Sequence, residues 1–309
     1  MATAAESIAP DPEAHTPPNG LLFGIGAYFL WGILPLYFKL LPMVGPVEIV
    51  ASRILFSLIL MIAILAATGA LGDFGRTLRD RRTMIAMTGS ALLIAINWLV
   101  YIWAVANDHI VAASLGYFLN PLVNVLLGVL VLKEKLRPVQ IAAILVAAIG
   151  VAVMAVSAIN TLWISITLAV SFALYGLIRK TAAVGPRQGL AAETLILTPI
   201  AAAYAIWLVS QGQAAFGKDV ATSILLALSG IVTSVPLLLF ATAARRMPLS
   251  MLGLLQYLAP TIQFLIGVLL FDETLSRGQM ISFVLIWAGL ILFTVDLLRS
   301  TRAARLALA

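Results

Sequence analysis

The segment Pro121 to Gln140, PLVNVLLGVLVLKEKLRPVQ, recurs 139 residues later as Pro260 to Gln279, PTIQFLIGVLLFDETLSRGQ. The two segments are identical at eight of 20 positions, where roughly two identities are expected by chance in so apolar a chain. The same shift superposes Gly150 on Gly289. The chain therefore contains an internal repeat, and its two halves are related.

The composition around the repeat is that of a membrane protein. Of 309 residues, 62% are hydrophobic and only 10% are charged, and the mean hydropathy is +1.08. Soluble domains carry roughly 25% charged residues, so this chain has far too little polar surface to be one. It has no cysteine, which excludes disulfides and thiolate metal sites.

Ten apolar stretches follow one another, each near the ~20 residues that cross a bilayer. They run over 21–41, 47–68, 84–105, 110–132, 139–156, 162–178, 190–209, 221–244, 249–271 and 280–298. We therefore predict an all-α integral membrane protein of ten transmembrane helices. Residues 21–156 form the first five-helix repeat and residues 157–298 the second. Residues 1–20 form a disordered cytoplasmic tail, and residues 299–309 a basic cytoplasmic tail.

The second repeat is expected to be inverted, because an odd number of helices separates the two copies. The charges that follow them agree: Lys-Glu-Lys-Leu-Arg at 133–137 becomes Asp-Glu-Thr-Leu-Ser-Arg at 272–277. Lys and Arg mark the cytoplasmic side. With the amino terminus inside, fifteen of the 19 fall there: Arg76, Arg79, Arg81, Arg82, Lys133, Lys135, Arg137, Arg179, Lys180, Arg187, Arg245, Arg246, Arg299, Arg302 and Arg305.

Several motifs resemble a known family. AYFLWGILP at 27–35, NWL at 97–99, SLGYFLNPLVN at 114–124 and QYLAPT at 256–261 are similar to the RarD branch of EamA-type transporters, in the drug/metabolite transporter superfamily. The resemblance covers residues 20–300. It implies ten helices, residence in a bacterial inner membrane and a permease role. That branch is commonly labelled as chloramphenicol-resistance permeases.

Polar residues on two repeat-related helices predict a solute path. Tyr117, Asn120 and Asn124 recur at i, i+3 and i+7 and share one helix face. Gln256 and Gln263 stand at the matching positions of the second copy. We expect these five side chains to line a cavity for substrate, with hydrogen bonding between helices as the alternative.

Two prolines lie at equivalent positions of the same helices. Pro121 and Pro260 cannot donate a backbone hydrogen bond, so each is expected to free the carbonyl four residues earlier. Within lipid a freed carbonyl needs a partner. We therefore predict gating roles for both prolines, and a plain kink is the alternative.

Aromatic residues near the membrane midplane complete the predicted pocket. Trp31, Trp98 and Tyr101 lie away from helix ends, and Asn97 precedes Trp98. This combination suits an aromatic or planar solute, although packing is the alternative. Tyr175 is expected to be a gate or a snorkelling anchor.

Two charges lie inside predicted helices. Arg53 and Glu193 coincide when Pro46 to Arg53 is shifted by 140 onto Pro186 to Glu193. A charge at such a depth costs at least ~2.5–3.5 kcal/mol and is usually functional. We expect Arg53 to attract an anionic or zwitterionic solute. Glu193 is expected to be a protonatable coupling site or a gate partner of Arg179 or Lys180. A snorkelling Arg53 and a fixed salt bridge at Glu193 are the alternatives.

The predicted function is secondary transport of a small organic solute that is amino acid-like, aromatic or amphenicol-like. Two histidines, His15 and His109, offer no enzyme site, and no nucleotide-binding or metal motif occurs, so neither an enzyme nor a cofactor is expected. Expected partners are the solute, membrane lipid and, as coupling ion, protons. Nucleic acid is not expected, and the chain is a monomer or a homodimer. A membrane scaffold without transport is the alternative.

Overall fold

The computed structural model describes residues 18–107, 109–156, 161–270 and 277–306, and over these ranges the chain is helical without strands. The helices are α1 (Pro18–Phe38), α2 (Pro46–Ala67), α3 (Leu71–Arg79), α4 (Arg81–Ala106), α5 (Ile110–Leu130), α6 (Pro138–Val156), α7 (Leu162–Thr181), α8 (Pro186–Ser210), α9 (Val220–Arg246), α10 (Leu249–Leu255), α11 (Leu258–Leu270) and α12 (Arg277–Leu306).

Six of the described helices are long and apolar enough to cross a membrane: α1, α2, α4, α7, α8 and α9. Shorter apolar segments lie at Leu115–Leu130, Pro138–Val153 and Met280–Asp296. The protein is therefore a multi-pass integral membrane protein. The helix α3 occupies the connection between the second and third predicted spans.

Local sequence explains where several helices begin. Pro46, Pro138 and Pro186 are the first residues of α2, α6 and α8, a position that does not need a backbone N–H. Asp219 caps α9 by accepting a hydrogen bond from Thr222 N at 2.7 Å. The hydrogen bonds from Thr222 hold the pKa of the exposed Asp219 below its usual value.

The helices differ from the predicted spans in three places. The tail assigned to residues 1–20 gives way to helix already at Pro18, and residues 1–17 lie outside the described ranges. The tail assigned to 299–309 is helical to Leu306, since Arg, Ala and Leu favour helix. The ninth apolar stretch is two helices, α10 and α11, and not one.

Three contacts join helices at equivalent positions of the two halves: α6 packs on α12, α2 on α8 and α5 on α10. Two further contacts, α1 with α9 and α4 with α7, correspond to each other when the halves are exchanged. Gly150 and Gly289, the pair that a shift of 139 superposes, both lie where α6 and α12 touch. A Cβ would lie 2.9 Å from Ser282 O at Gly150 and 2.6 Å from Ala143 O at Gly289. The end of the bundle where α1 begins and α9 ends is called the basic end below.

Candidate functional site

Arg53 and Glu193 line one cavity inside the bundle. Its wall is built from α2, α4, α7, α8 and α9, and its polar and aromatic lining is Arg53, Ser57, Trp98, Tyr175, Glu193, Thr194 and Thr233. The space open to the centre of a water molecule is about 10 Å³, which is room for about one water. In this conformation the helices enclose the two charges too tightly to admit an organic solute.

Glu193 is buried, and its Oε1 has two partners. Its Oε1 accepts a hydrogen bond from Ser90 Oγ at 2.5 Å and lies 3.6 Å from Arg179 Nη1. The side chains of Arg179 and Glu193 are only 2% and 3% exposed. Glu193 therefore joins α8 to α4 and α7 through a charge pair and a hydroxyl.

Arg179 is held on several sides. Its Nη2 donates to Pro186 O at 2.9 Å and its Nη1 to Met87 Sδ at 3.6 Å. The guanidinium lies directly on the backbone of Gly189, at the place where any side chain would begin. Gly189 and Glu193 are four residues apart on one face of α8, so the glycine makes the space that the ion pair occupies.

Arg53 has a different environment. Its Nε donates to Thr233 Oγ1 at 2.7 Å, and its guanidinium carbon lies 4.9 Å from the Trp98 ring centroid and 5.8 Å from that of Phe38. Among the described residues, no carboxylate forms an ion pair with it. Hydroxyl and aromatic faces stabilise a cation only partly, so the charge of Arg53 is not fully compensated by these contacts.

An aromatic cluster closes the centre of the bundle beside the cavity. Trp31 lies 5.6 Å from Tyr28, 5.7 Å from Phe172 and 5.7 Å from Phe240 between ring centroids, and Tyr175 stacks on Phe240 at 5.9 Å. Tyr175 is 1% exposed, so the snorkelling alternative was wrong for it. The cluster joins α1, α7 and α9.

Tyr101 and Tyr117 form a second aromatic pair near Arg53. Their ring centroids lie 5.8 Å apart, and both phenols are within electrostatic range of the guanidinium. Tyr101 is 37% exposed. The pair gives Arg53 an aromatic flank that reaches the surface.

The polar residues of the repeated helices meet. Asn124 Nδ2 donates to Gln256 Oε1 at 3.0 Å, so α5 and α10 are bonded across the two halves. Asn120 is fully buried, and neither its amide nitrogen nor its oxygen has a hydrogen-bond partner. A buried polar group without a partner costs about 1–3 kcal/mol, which favours a conformation or a ligand that supplies one.

Two other predicted site residues are used in tying helices together. Asn97 Nδ2 donates to Leu168 O at 2.9 Å and to Ser171 Oγ at 3.0 Å, which joins α4 to α7. Gln263 is exposed and its Nε2 donates to Trp31 O at 3.0 Å. In this conformation both contacts correspond to the packing alternative.

The two equivalent prolines behave differently. The helix α5 continues through Pro121, whereas the chain breaks between α10 and α11 just before Pro260. The carbonyl of Gln256 is not freed, because Ala259 N donates to it at 3.2 Å in a tighter turn. The expectation of a freed carbonyl at Gln256 was therefore wrong.

A clamp that the sequence reasoning missed holds the turn between α9 and α10 at the basic end. Glu134 accepts from Leu249 N at 2.6 Å and from Ser250 N and Oγ at 3.0 and 2.6 Å. Lys180 Nζ donates to Ala244 O at 3.1 Å and Met247 O at 2.7 Å. The Glu134 side chain passes over Gly128, where a Cβ would lie 2.6 Å from Glu134 Oε2. The recurring spacing of Gly and Glu in the repeat was the signal for it.

Comparison with known proteins agrees with this architecture. The family model of the EamA-like transporter family matches residues 18–156 and again residues 159–295. A protein RarD of Streptomyces exfoliatus is 46% identical over 288 residues, 93% of this chain and 91% of that protein. A Vibrio cholerae protein described as an uncharacterised transporter is 39% identical over 295 residues, 95% and 98% of the two chains.

A solved structure, described only as the crystal structure of a protein, has the same fold. It superposes with a TM-score of 0.70 at 22% identity and covers 89% of this chain and 97% of that chain. The two family matches, which span nearly all of both halves, and the relatives from Streptomyces exfoliatus and Vibrio cholerae settle the family. The chain belongs to the EamA-like transporter family, and its close relatives are named RarD.

Proposed function

We propose that this protein is a secondary transporter that moves a zwitterionic aromatic solute by alternating access, with Arg53 as the binding group for the solute's carboxylate. One observation carries the proposal. Arg53 and Glu193, which occupy corresponding places in the two halves, line the same cavity, and only Glu193 has a counter-ion among the described residues.

The surroundings of Arg53 suggest the class of solute. A guanidinium binds a carboxylate through two parallel hydrogen bonds. In Arg53, the Nε already donates to Thr233 Oγ1. The ring face of Trp98 lies on the cation, and the phenols of Tyr101 and Tyr117 are within electrostatic range of it. An amino acid with an aromatic side chain matches both features, with its carboxylate on the guanidinium and its ring among the aromatic residues.

Alternating access is supported by the packing of the helices. Pairs of helices that the repeat relates touch each other, and this is the arrangement that inverted halves produce. The cavity is closed in this conformation, and Asn120 is left without partners. In the proposal, ten spans form two inverted repeats in a bacterial inner membrane, with both termini cytoplasmic. Opening of one side exposes Asn120, Asn124 and Gln256 to the solute.

Glu193 is assigned to coupling and gating. Its bond to Ser90 and its pair with Arg179 hold α4, α7 and α8 together. Protonation of the carboxylate would remove the charge that holds Arg179, so it would loosen this contact and allow the basic end to open. A scaffold has no use for a half-buried cation without a counter-ion among the described residues, because a charge inside the membrane costs ~2.5–3.5 kcal/mol.

The solute class is tested with the purified chain in liposomes. Uptake of labelled phenylalanine and tryptophan should exceed that of empty liposomes. Phenylalanine amide, which keeps the ring and the amino group but lacks the carboxylate, should not be transported. Equal uptake of phenylalanine and its amide would overturn the assignment of Arg53.

The coupling role is tested separately with Glu193→Gln in the same liposomes. A proton gradient should raise the rate of uptake by the wild-type protein, and the variant should give one rate with or without the gradient. If the variant responds to the gradient as the wild type does, Glu193 is not the coupling group.

A further inference from the structure

A recess opens at the basic end of the bundle, apart from the central cavity. Its volume is about 470 Å³, and it is lined by Phe23 of α1, Pro186 and Arg187 of α8, and Leu238, Thr242, Arg245 and Arg246 of α9. It shares no lining residue with the cavity that holds Arg53 and Glu193. The recess is therefore a separate candidate site.

Three arginines converge on this recess, and none of its described lining residues is acidic. Arg245 is fixed by hydrogen bonds from its Nη1 to the carbonyls of Ala182, at 3.0 Å, and Val184. The guanidinium of Arg246 lies 5.0 Å from the ring centroid of Phe23. Arg187 is exposed. The recess is thus a cationic site that is already ordered and attracts an anion.

The position of the recess matches the lipid headgroups. The helix α9 has 27 residues and is roughly 40 Å long, whereas the hydrocarbon layer is only ~30 Å thick. Its last turn, which carries Arg245 and Arg246, therefore reaches the headgroup layer. Along the same face, Val235 and Leu238 recur at helical spacing from Thr242, and Val235 is 38% exposed. An apolar strip thus leads from the arginines towards the hydrocarbon.

We propose that this recess binds the phosphodiester headgroup of an anionic phospholipid, with an acyl chain along Leu238 and Val235. Basic pockets between membrane helices recognise such headgroups, and the guanidinium fork suits phosphate. Val47 stands where a shift of 140 places Arg187, so the first half lacks this arginine and the proposed site lies in one leaflet only.

Thermal unfolding of the full chain in detergent tests the proposal, with short-chain phosphatidylglycerol, short-chain phosphatidylcholine and inorganic phosphate as separate additions. Phosphatidylglycerol should raise the midpoint by about 2–4 °C in a saturable way. Phosphatidylcholine and phosphate should leave the midpoint unchanged. An equal shift with phosphate would mean a site for free anions and would overturn the lipid assignment, as would no shift with phosphatidylglycerol.

A matched pair of variants assigns the effect to the recess. Arg187→Gln should lose at least half of the shift, whereas Arg81→Gln should keep all of it. Both arginines are exposed near the start of a helix at the basic end, but only Arg187 lines the recess. Equal losses in the two variants would mean that surface charge alone attracts the lipid. The unfolding midpoint reports lipid binding without any transport measurement. A negative result would therefore leave the proposed solute and the proposed coupling role of Glu193 untouched.

Discussion

The two charges that line the central cavity differ in what surrounds them. Glu193 has a cation at 3.6 Å and a hydroxyl at 2.5 Å. Arg53, at the corresponding place in the other half, has one hydroxyl and two aromatic rings. Similar positions in the repeat have therefore diverged into a neutralised site and a site that still carries an uncompensated charge.

The contrast suggests a division of labour between the halves. An ion pair inside a protein holds helices together, because removal of either partner leaves a buried charge alone. A cation without a counter-ion is costly until an anion arrives. In this view Glu193 of the second half forms the gate, and Arg53 of the first half attracts the solute.

The largest effect is expected at the neutralised site. Glu193→Gln leaves Arg179 without its counter-ion, which should lower the free energy of unfolding by about 3–5 kcal/mol. Asp296→Asn is the control, because its pair with Arg137 is 3.5 Å long and the arginine is 48% exposed, so less than about 1 kcal/mol is expected. Thermal unfolding of both variants measures the difference, and equal losses would contradict the contrast.

Arg53→Gln is expected to have the next largest effect, and on transport instead of stability. Loss of charged hydrogen bonds to a carboxylate costs about 1.5–3 kcal/mol, which corresponds to a loss of roughly tenfold to a hundredfold in phenylalanine uptake. Lys218→Gln, which removes an exposed cation outside the cavity, should transport normally. The contrast fails if both variants lose uptake to the same extent.

The clamp at the basic end tests whether partnered charges stabilise the fold beyond the cavity. Glu134→Ala removes three hydrogen bonds at the start of α10 and should cost about 1–2 kcal/mol, the range of a lost helix cap. Lys135→Ala, at an exposed neighbour, should cost much less. Chemical denaturation in detergent measures both, and similar values would show that the clamp has no energetic role.

The smallest difference is expected between two buried asparagines on one helix face. Asn124→Leu breaks the bond to Gln256 and should cost roughly 0.6–1 kcal/mol. Asn120→Leu removes a side chain without partners, so stability should stay the same or rise while phenylalanine uptake falls. If Asn120→Leu lowers stability as much as Asn124→Leu does, the role given to the unsatisfied amide of Asn120 is contradicted.

Much of the architecture was predictable, because hydropathy reports the bilayer and the repeat reports the relation between the halves. The family resemblance is confirmed by the family matches and the relatives. The break between α10 and α11 was missed, since Pro121 and Pro260 are equivalent in sequence and only one of them follows a break. The hydropathy of the sequence is uninterrupted around both prolines, so it does not indicate the break.

Partners of site residues were predictable only when they were close in sequence. Arg179 was among the candidates for Glu193 because both lie at the basic end of neighbouring helices. Ser90 was not, because it comes from α4, 103 residues away along the chain. Likewise the amides of Asn97 and Gln263 looked free for solute, and their helix-tying contacts depend on tertiary packing.

Because the Glu134 side chain passes over Gly128, the residues allowed at these two positions, six residues apart, depend on each other. A larger residue at 128 would collide with the carboxylate and would also crowd the backbone N of Ser250, 3.1 Å from a Cβ placed there. Gly267 and Glu273 keep the same spacing in the second half. In the first half, a substitution at 128 is therefore tolerated only when the carboxylate at 134 and the start of α10 shift with it.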